Sequence, residues 1–410
     1  MRRSFKALIF FTATVITLFA VNSFYVSMHN PMLSEDVAVI NTKKVSPQKL
    51  FEKNWQIVKS EYYDSNFNHQ NWNKWKSHYQ NKIKTEEDAK VAIETMLASL
   101  NDPYSRFLTA EEFSKQNSSI NSKISGIGVN IINDSGKIKI INVIEDTPAQ
   151  FADLKSGDII IGVDDKKVSG LSLGEVSSLV KGPANTFVTL DIIRNGEKIF
   201  KKIIRKEISI KTVKSSNNKG IGYIQISSFI SNSTPNEFIE ALENTSSSKG
   251  LIIDLRGNTG GLLTNAVFIA NLFINEGNIV SIVGRNGYRY KINAQQTNVN
   301  IQKPVIILVD GSSASASEIF SGAMKDYKKA KLIGTKTFGK GMVQKIISMP
   351  NKTGLNLTIA RYLTPSGRDI NKKGISPDIE IEFTPQDIEA NKDVQLEVAQ
   401  NYLNGILSKK

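Results

Sequence analysis

The sequence predicts a multi-domain α/β protein: an N-terminal helical region, a β-rich insert and an α/β layered core. Three observations lead there. Residues 46 to 115 carry apolar side chains at helical spacing, residues 126 to 208 read as short strands and turns, and from Gly220 onward strands and helices alternate.

In the helical region Leu50, Trp55 and Val58 mark one stretch and Ala89, Ala92, Ile93, Met96, Leu97 and Leu100 another. Ser46-Pro47 suits a helix start, with serine capping and proline in the first turn. Asn101-Asp-Pro103 ends the second stretch, because the residue before proline is pushed out of the α region. Residues 30 to 45 are polar and read as a linker.

In the insert, Ile138–Ile144 and Val188–Ile193 are β-rich, Asn195-Gly196 is a hairpin signal, and Leu173–Val180 is a short helix. The core reads as strand Ile221–Ile226, helix Pro235–Leu242, strand Leu251–Leu255, helix Leu262–Ile274, strand Ile279–Val283, strand Val305–Val309 and helix Ser315–Lys328. Such alternation predicts a largely parallel sheet. Leu396, Ala399, Leu403 and Ile406 give the chain an amphipathic C-terminal helix. The expected boundaries are 1–28, 29–115, 116–209, 210–385 and 386–410.

Residues 1–28 open with Met1-Arg-Arg-Ser-Phe-Lys6 and continue with an apolar run from Ala7 to Val26. Positive residues before an apolar run mark an export signal, cleaved or retained as an anchor, and put the body outside the cytoplasm. The net charge of +13 is compatible with an anionic membrane surface. The lysines are scattered, without an arginine–aromatic cluster, so no nucleic-acid partner is expected. The absence of cysteine excludes disulfides, a thiolate nucleophile and cysteine-bound zinc.

Three loops follow strands of the core: Arg256–Gly261, Gly311–Glu318 and Thr337–Gly341. In open α/β sheets functional groups gather at the carboxyl ends of strands. The second loop, Gly311-Ser-Ser-Ala-Ser-Ala-Ser-Glu318, presents hydroxyls at a helix N-terminus, where free N–H groups stabilise negative charge on a carbonyl oxygen. Residue physics leaves Ser313, Ser315 and Ser317 all open as nucleophile, and a plain helix cap as the alternative. A hydroxyl needs a base, and the three histidines, His29, His69 and His78, are all near the N-terminus. The local candidate is Lys340, between Gly339 and Gly341 and beside Phe338, Met342 and Val343; desolvation would destabilise its ammonium and leave a neutral amine able to take a proton. Gln344 can orient that amine. Gly334–Gly341 nearly fits a phosphate loop, but Gly341 stands where a Ser or Thr is needed and no helix pattern follows. Gly260-Gly261 permits close backbone approach to a ligand, and Ser125-Gly-Ile-Gly-Val129 can hold a carboxylate on successive N–H groups.

These segments together resemble the carboxyl-terminal processing (tail-specific) proteases. The resemblance runs through Asn101–Phe107, Gly126–Val129, Ser156–Ile160, Asp254–Gly261, Ser313–Glu318, Thr337–Gln344, Arg361–Arg368 and Gly374–Asp378. It implies a PDZ domain inserted before a serine-protease core of crotonase/Clp-like type. It further implies a Ser-Lys-Gln triad of Ser315, Lys340 and Gln344, with oxyanion donors at the N–H of Ala316 and of Gly260 or Gly261. The PDZ carboxylate loop would be Gly126, Ile127, Gly128 and Val129, and the substrates proteins or peptides with free C-termini. It implies no metal or organic cofactor, and it allows a homo-oligomer and membrane association through the N-terminus. Two departures stand out: Asp153 and Ser312 occupy places where the family usually has glycine. The rival readings are a catalytically silent PDZ scaffold and an acyl-CoA enzyme on a similar core.

Overall fold

A computed structural model describes residues 37–39, 44–121, 123–209, 211–296 and 301–408. Residues 1–28, where the sequence leads one to expect a signal or anchor, lie outside them. Among the described residues no helix is long and apolar enough to cross a membrane. The chain divides into two compact units, one of residues 1–116, 212–230 and 234–410, the other of 117–211 with 231–233.

The first unit is built on a six-stranded sheet in the order Val213–Asn218, Ile221–Ile226, Gly250–Asp254, Val305–Val309, Ala330–Gly334, Ile379–Glu380. Only the first pair is antiparallel. Gly250–Asp254 and Val305–Val309 are buried at every position, as befits parallel strands covered on both faces. Side-chain alternation splits them. Leu251, Ile253, Ile307 and Val309 join the cluster containing Ala266 and Phe320 of the helices Leu263–Asn271 and Ala316–Asp326. Ile252, Ile306, Leu308 and Ile333 pack with Ala399 and Leu403 of the C-terminal helix Val394–Leu407.

A second sheet of the same unit corrects two expectations. The strand Asn278–Gly284 does not extend the parallel sheet; it pairs antiparallel with Gly354–Leu363, which also pairs with Met342–Ser348. On its other edge it pairs with the nearby strand Arg289–Asn293; periodicity gives a strand but not its partners, and the one that places it in this sheet is remote in sequence. Within the expected linker, Val37–Val39 forms a strand parallel to Ile346–Ser348. The N-terminal helices follow their caps: Ser46 accepts from Lys49 N–H ahead of Pro47–Glu61, and Thr85 with Asp88 forms a capping box for Glu86–Ala98.

The second unit has an antiparallel sheet in the order Val129–Asp134, Lys137–Val143, Ile159–Val163, Phe187–Arg194, Glu197–Ile204. Its core is aliphatic, with Ile138, Ile140, Ile160, Val188, Leu190 and Ile192 all buried. Asn195 and Gly196 take positive φ of 52° and 86° in the hairpin turn, as a two-residue turn matched to strand twist requires. Helix Leu173–Val180 starts from a Ser172–Glu175 capping box and lies beside the edge strand Val129–Asp134.

Candidate active site

The three loops singled out in the sequence leave the carboxyl ends of the parallel strands Gly250–Asp254, Val305–Val309 and Ala330–Gly334, the last two of which are neighbours of one another and the first two likewise. Hydrogen bonds stitch the loops together. Ala314 N–H and the Ser317 hydroxyl both donate to Asn258 O (3.1 and 2.9 Å), the Ser313 hydroxyl donates to Leu255 O (2.8 Å), and Phe338 N–H donates to Ser313 O (3.1 Å).

This wiring separates the three serines. Ser313 and Ser317 are fully buried and spend their hydroxyls on backbone carbonyls. Ser315 is only partly buried and sits at φ 54°, ψ −114° immediately before the helix Ala316–Asp326. A non-glycine residue there stores roughly 1–3 kcal/mol of backbone strain. A strained strand-to-helix turn of this kind exposes a nucleophilic hydroxyl.

Glu318 binds the serine loop to the lysine loop. Its fully buried carboxylate accepts from Ser315 N–H (2.9 Å) and Lys340 N–H (2.8 Å) on Oε2. On Oε1 it accepts from the Thr337 hydroxyl (2.6 Å) and Gly339 N–H (2.7 Å). Thr337 Oγ1 is itself an acceptor for Ile375 N–H, so its proton is directed at Glu318. Burial pushes the Glu318 carboxyl up, against the pull of the four donors. Tyr362, also buried, adds a second link: its hydroxyl donates to Ser315 O (3.1 Å) and its N–H to Gly341 O (2.9 Å).

The Lys340 side chain is largely withdrawn from water, its Nζ 4.9 Å from the centre of the Tyr104 ring. Among the described residues it makes no hydrogen bond or salt bridge, to Ser315 or any other group. Desolvation holds its amine below the usual lysine range, with Arg106 pulling the same way and Asp102 and Glu318 opposing. The apolar neighbours in sequence are not the whole cause, because Phe338 is 57% exposed. The segment Asn101–Phe107 places the Tyr104 ring against it, and this segment is tied down where Asp102 accepts from the Ser105 hydroxyl (2.6 Å) and Ser105 Oγ from Thr358 N–H (3.0 Å). Gln344 follows a register shift between Val343 and Gln344 and donates to the Thr358 hydroxyl (3.3 Å). It makes no hydrogen bond to Lys340.

The two glycines differ. Gly260 takes φ 100°, and a Cβ there would fall 2.6 Å from Ala314 O and 2.9 Å from Ala316 N. Its N–H is taken by Asn258 Oδ1 (2.9 Å). The N–H groups of Gly261 and Ala316 make no hydrogen bond among the described residues, so both are available to an oxyanion. In the second unit Gly126 ends the strand Lys123–Gly126, and Ile127 and Gly128 lead into Val129. Ile127 is buried and donates nothing, its carbonyl accepting from Ala149 N–H (2.7 Å) while Gly128 O accepts from Ile144 N–H (2.9 Å). The N–H groups of Ile127 and Gly128 are therefore unspent among the described residues.

Reading the residues one by one missed Glu318, Tyr104 and Asp102 as parts of this site. Glu318 had a signal, the Ser-x-x-Glu spacing of a capping box. Tyr104 and Asp102 had only their place in the Asn101–Phe107 segment of the resemblance, which says nothing of Lys340, since only tertiary folding brings them to it.

Family models match along most of the described chain: "Tricorn protease C1 domain" at residues 44–90, "PDZ domain" at 125–203 and "Peptidase family S41" at 220–381. A carboxyl-terminal-processing protease of Synechocystis sp. is 34% identical over 373 residues, covering 87% of each chain. The chain belongs to the carboxyl-terminal processing proteases. It is a serine-type peptidase of family S41 with a PDZ domain. A carboxy-terminal-processing protease of Bartonella bacilliformis is 39% identical over 300 residues, 71% of this chain and 69% of that one. Among solved structures, a photosystem II D1 C-terminal processing protease superposes with TM-score 0.54 at 31% identity, covering 84% of this chain and 96% of that one.

Within this processing protease both departures from the family pattern have a local account. Asp153 takes φ 56°, a conformation aspartate tolerates better than most residues. Arg194 braces it, donating to Asp153 O (2.7 Å) and Oδ2 (3.1 Å). Ser312 is exposed, its N–H donates to Asp310 Oδ1 (2.9 Å), and it is not among the positive-φ residues. No glycine is required there. The phosphate-loop alternative also falls, since Lys340 leads into the strand Met342–Ser348 and not into a helix.

Proposed function

We propose that this protease is an exported endopeptidase that engages the C-terminal tail of a protein through its PDZ domain and cleaves nearby by a Ser-Lys-Gln mechanism. The observation that carries the reading is the state of Ser315, strained and partly exposed on a loop that shares the Glu318 carboxylate with the backbone of Lys340.

In the reaction, the neutral Lys340 amine takes the Ser315 proton as Oγ bonds to the scissile carbonyl carbon. The carbonyl π electrons move to oxygen, and the N–H groups of Ala316 and Gly261 hold the resulting oxyanion. Lys340, now an ammonium, returns the proton to the leaving amine as the C–N bond breaks. Water then attacks the acyl-enzyme by the same route and frees Ser315. The Lys340 amine must move into hydrogen-bond reach of Ser315 Oγ, and Gln344 would orient it once there. Catalytic contacts that are open in a free enzyme commonly tighten only with substrate bound. The free N–H groups of Ile127 and Gly128, beside the unpaired edge of Val129–Asp134, suit a terminal carboxylate with the preceding residues added as a strand. Export rests on the basic-then-apolar opening of the sequence.

The test incubates an unfolded protein, with a free or an amidated C-terminus, with wild type and Ser315→Ala, and maps fragments by mass. Cleavage by wild type alone, weaker on the amidated substrate, is expected. Equal cleavage of both substrates would remove the tail-binding part, and cleavage by Ser315→Ala would remove the mechanism. Recovery of the mature chain from the cytoplasmic fraction alone would remove export.

A further inference from the structure

The glycine loop of the active site is anchored at its far end to the C-terminal helix. Its first residue, Arg256, forms a fork with Asp393, Nη1 to Oδ1 and Nη2 to Oδ2, both 2.8 Å. Asp393 is the N-cap of the helix Val394–Leu407, accepting from Leu396 N–H (3.0 Å). The same guanidinium holds Asp254, the last residue of the preceding strand, from Nε (3.0 Å) and Nη2 (2.6 Å), and Nη1 reaches Gln395 Oε1 (3.2 Å). Asp254 is buried and accepts further from the Tyr223 hydroxyl (2.7 Å). Burial alone would raise the Asp393 carboxyl, but Arg256 and the helix N–H groups outweigh it and hold it below the usual carboxylate range.

The rest of the loop follows Arg256 without slack. Gly257 N–H donates to both carboxylate oxygens of Asp310 (3.1 and 3.0 Å), at the root of the serine loop. Asn258 Nδ2 donates to Ile226 O (2.7 Å), and Asn258 Oδ1 holds Gly260 N–H. Gly261 comes next. A planar, bidentate, partly desolvated pair at the start of so short a loop fixes orientation as well as position.

We propose that Asp393 and Arg256 form a positioning clamp through which the C-terminal helix sets the Gly260-Gly261 turn for oxyanion binding. Neither residue touches substrate; they act on the reaction through the peptide plane of Gly261. This rests on the Ser-Lys reading above and on Gly261 as donor. An oxyanion donor acts mainly in the transition state, and displacement of a catalytic group by an ångström lowers rate far more than ground-state affinity.

The experiment compares full-length wild type, Asp393→Asn, Arg256→Lys and Ser315→Ala in steady-state cleavage of a peptide substrate. It also measures the affinity of each active variant for a peptide aldehyde, which forms a tetrahedral adduct on the nucleophile. Asparagine caps helices as well as aspartate and is isosteric, so Asp393→Asn isolates the fork. The expected result is kcat lowered at least fivefold with KM within twofold, and aldehyde affinity lowered by a similar factor, in both clamp variants. Thermal unfolding reports any general loss of structure. Wild-type kcat and aldehyde affinity in Asp393→Asn and Arg256→Lys, whatever their melting temperatures, would overturn the clamp. So would a fall in kcat explained by a smaller folded fraction in an active-site titration. Activity in Ser315→Ala would instead remove the mechanism on which the clamp is built.

Discussion

Replacing Glu318 by glutamine changes one atom and strikes the join between the proposed nucleophile, Ser315, and its proposed base, Lys340. The carboxylate receives four donors: two on Oε1, from Thr337 Oγ1 and Gly339 N, and two on Oε2, from Ser315 N and Lys340 N. A glutamine has one acceptor oxygen, and its NH2 group brings donors to face donors. Either amide orientation therefore strands two groups, and three of the four donors are backbone N–H groups that cannot turn away. A buried donor left unsatisfied costs about 1–3 kcal/mol, so the loss is about 2–6 kcal/mol. If the amide keeps the Thr337–Gly339 side, the side abandoned is the one that joins Ser315 to Lys340. Urea denaturation of Glu318→Gln should give a midpoint lower in proportion, and peptide cleavage by the remaining folded enzyme should fall at least tenfold. Wild-type stability together with wild-type kcat would refute the reasoning, because it would mean that the four contacts neither hold the loops nor align them.

Other expectations follow from the same geometry. Ser315→Gly should abolish cleavage yet stabilise the fold by about 1 kcal/mol, since glycine relieves the positive-φ strain that serine carries there; Ser315→Ala, which keeps a Cβ, should be inactive without that gain in a paired denaturation experiment. Lys340→Met should be inactive and more stable at neutral pH. The sign follows from the lowered amine: between its depressed folded value and that of the unfolded chain, the folded state binds fewer protons, so wild-type stability should climb with pH across that window and Lys340→Met should lack the slope. In the PDZ domain a Cβ at Gly128 would lie 2.3 Å from Thr147 Oγ1 with φ at 94°. Gly128→Ala should therefore weaken binding of free-carboxylate peptides, measured by titration calorimetry, while leaving the other unit able to react with a small active-site acylating probe.

The sequence made some of this legible and concealed the rest for identifiable reasons. Strands such as Val305–Val309 were readable because a parallel strand buried on both faces is an unbroken apolar run bounded by turn residues. The three candidate loops were readable because each combines glycine or serine with the end of such a strand. Asn278–Gly284 read correctly as a strand but not as part of a second sheet, because Gly354–Leu363, the one of its two partners that joins it to the rest of that sheet, is distant in sequence and such pairing leaves no local mark. The choice among Ser313, Ser315 and Ser317 could not be made from residue type, since all three are serines beside alanine. It took the backbone to separate two hydroxyls spent on Leu255 O and Asn258 O from the third. The surroundings of Lys340 were the least legible, because Tyr104 and Asp102 reach it from another part of the chain and Phe338, its close neighbour in sequence, leaves it for solvent.

The most direct measurement is the pH dependence of acylation in the pre-steady state, in wild type and in Lys340→Met, with the acyl adduct on Ser315 identified by intact mass and peptide mapping. The account predicts that wild-type acylation rises with pH along a single deprotonation whose midpoint lies below that of an ordinary lysine, and that Lys340→Met accumulates no adduct. Adduct formation in Lys340→Met at the wild-type rate and with the wild-type pH profile would contradict it.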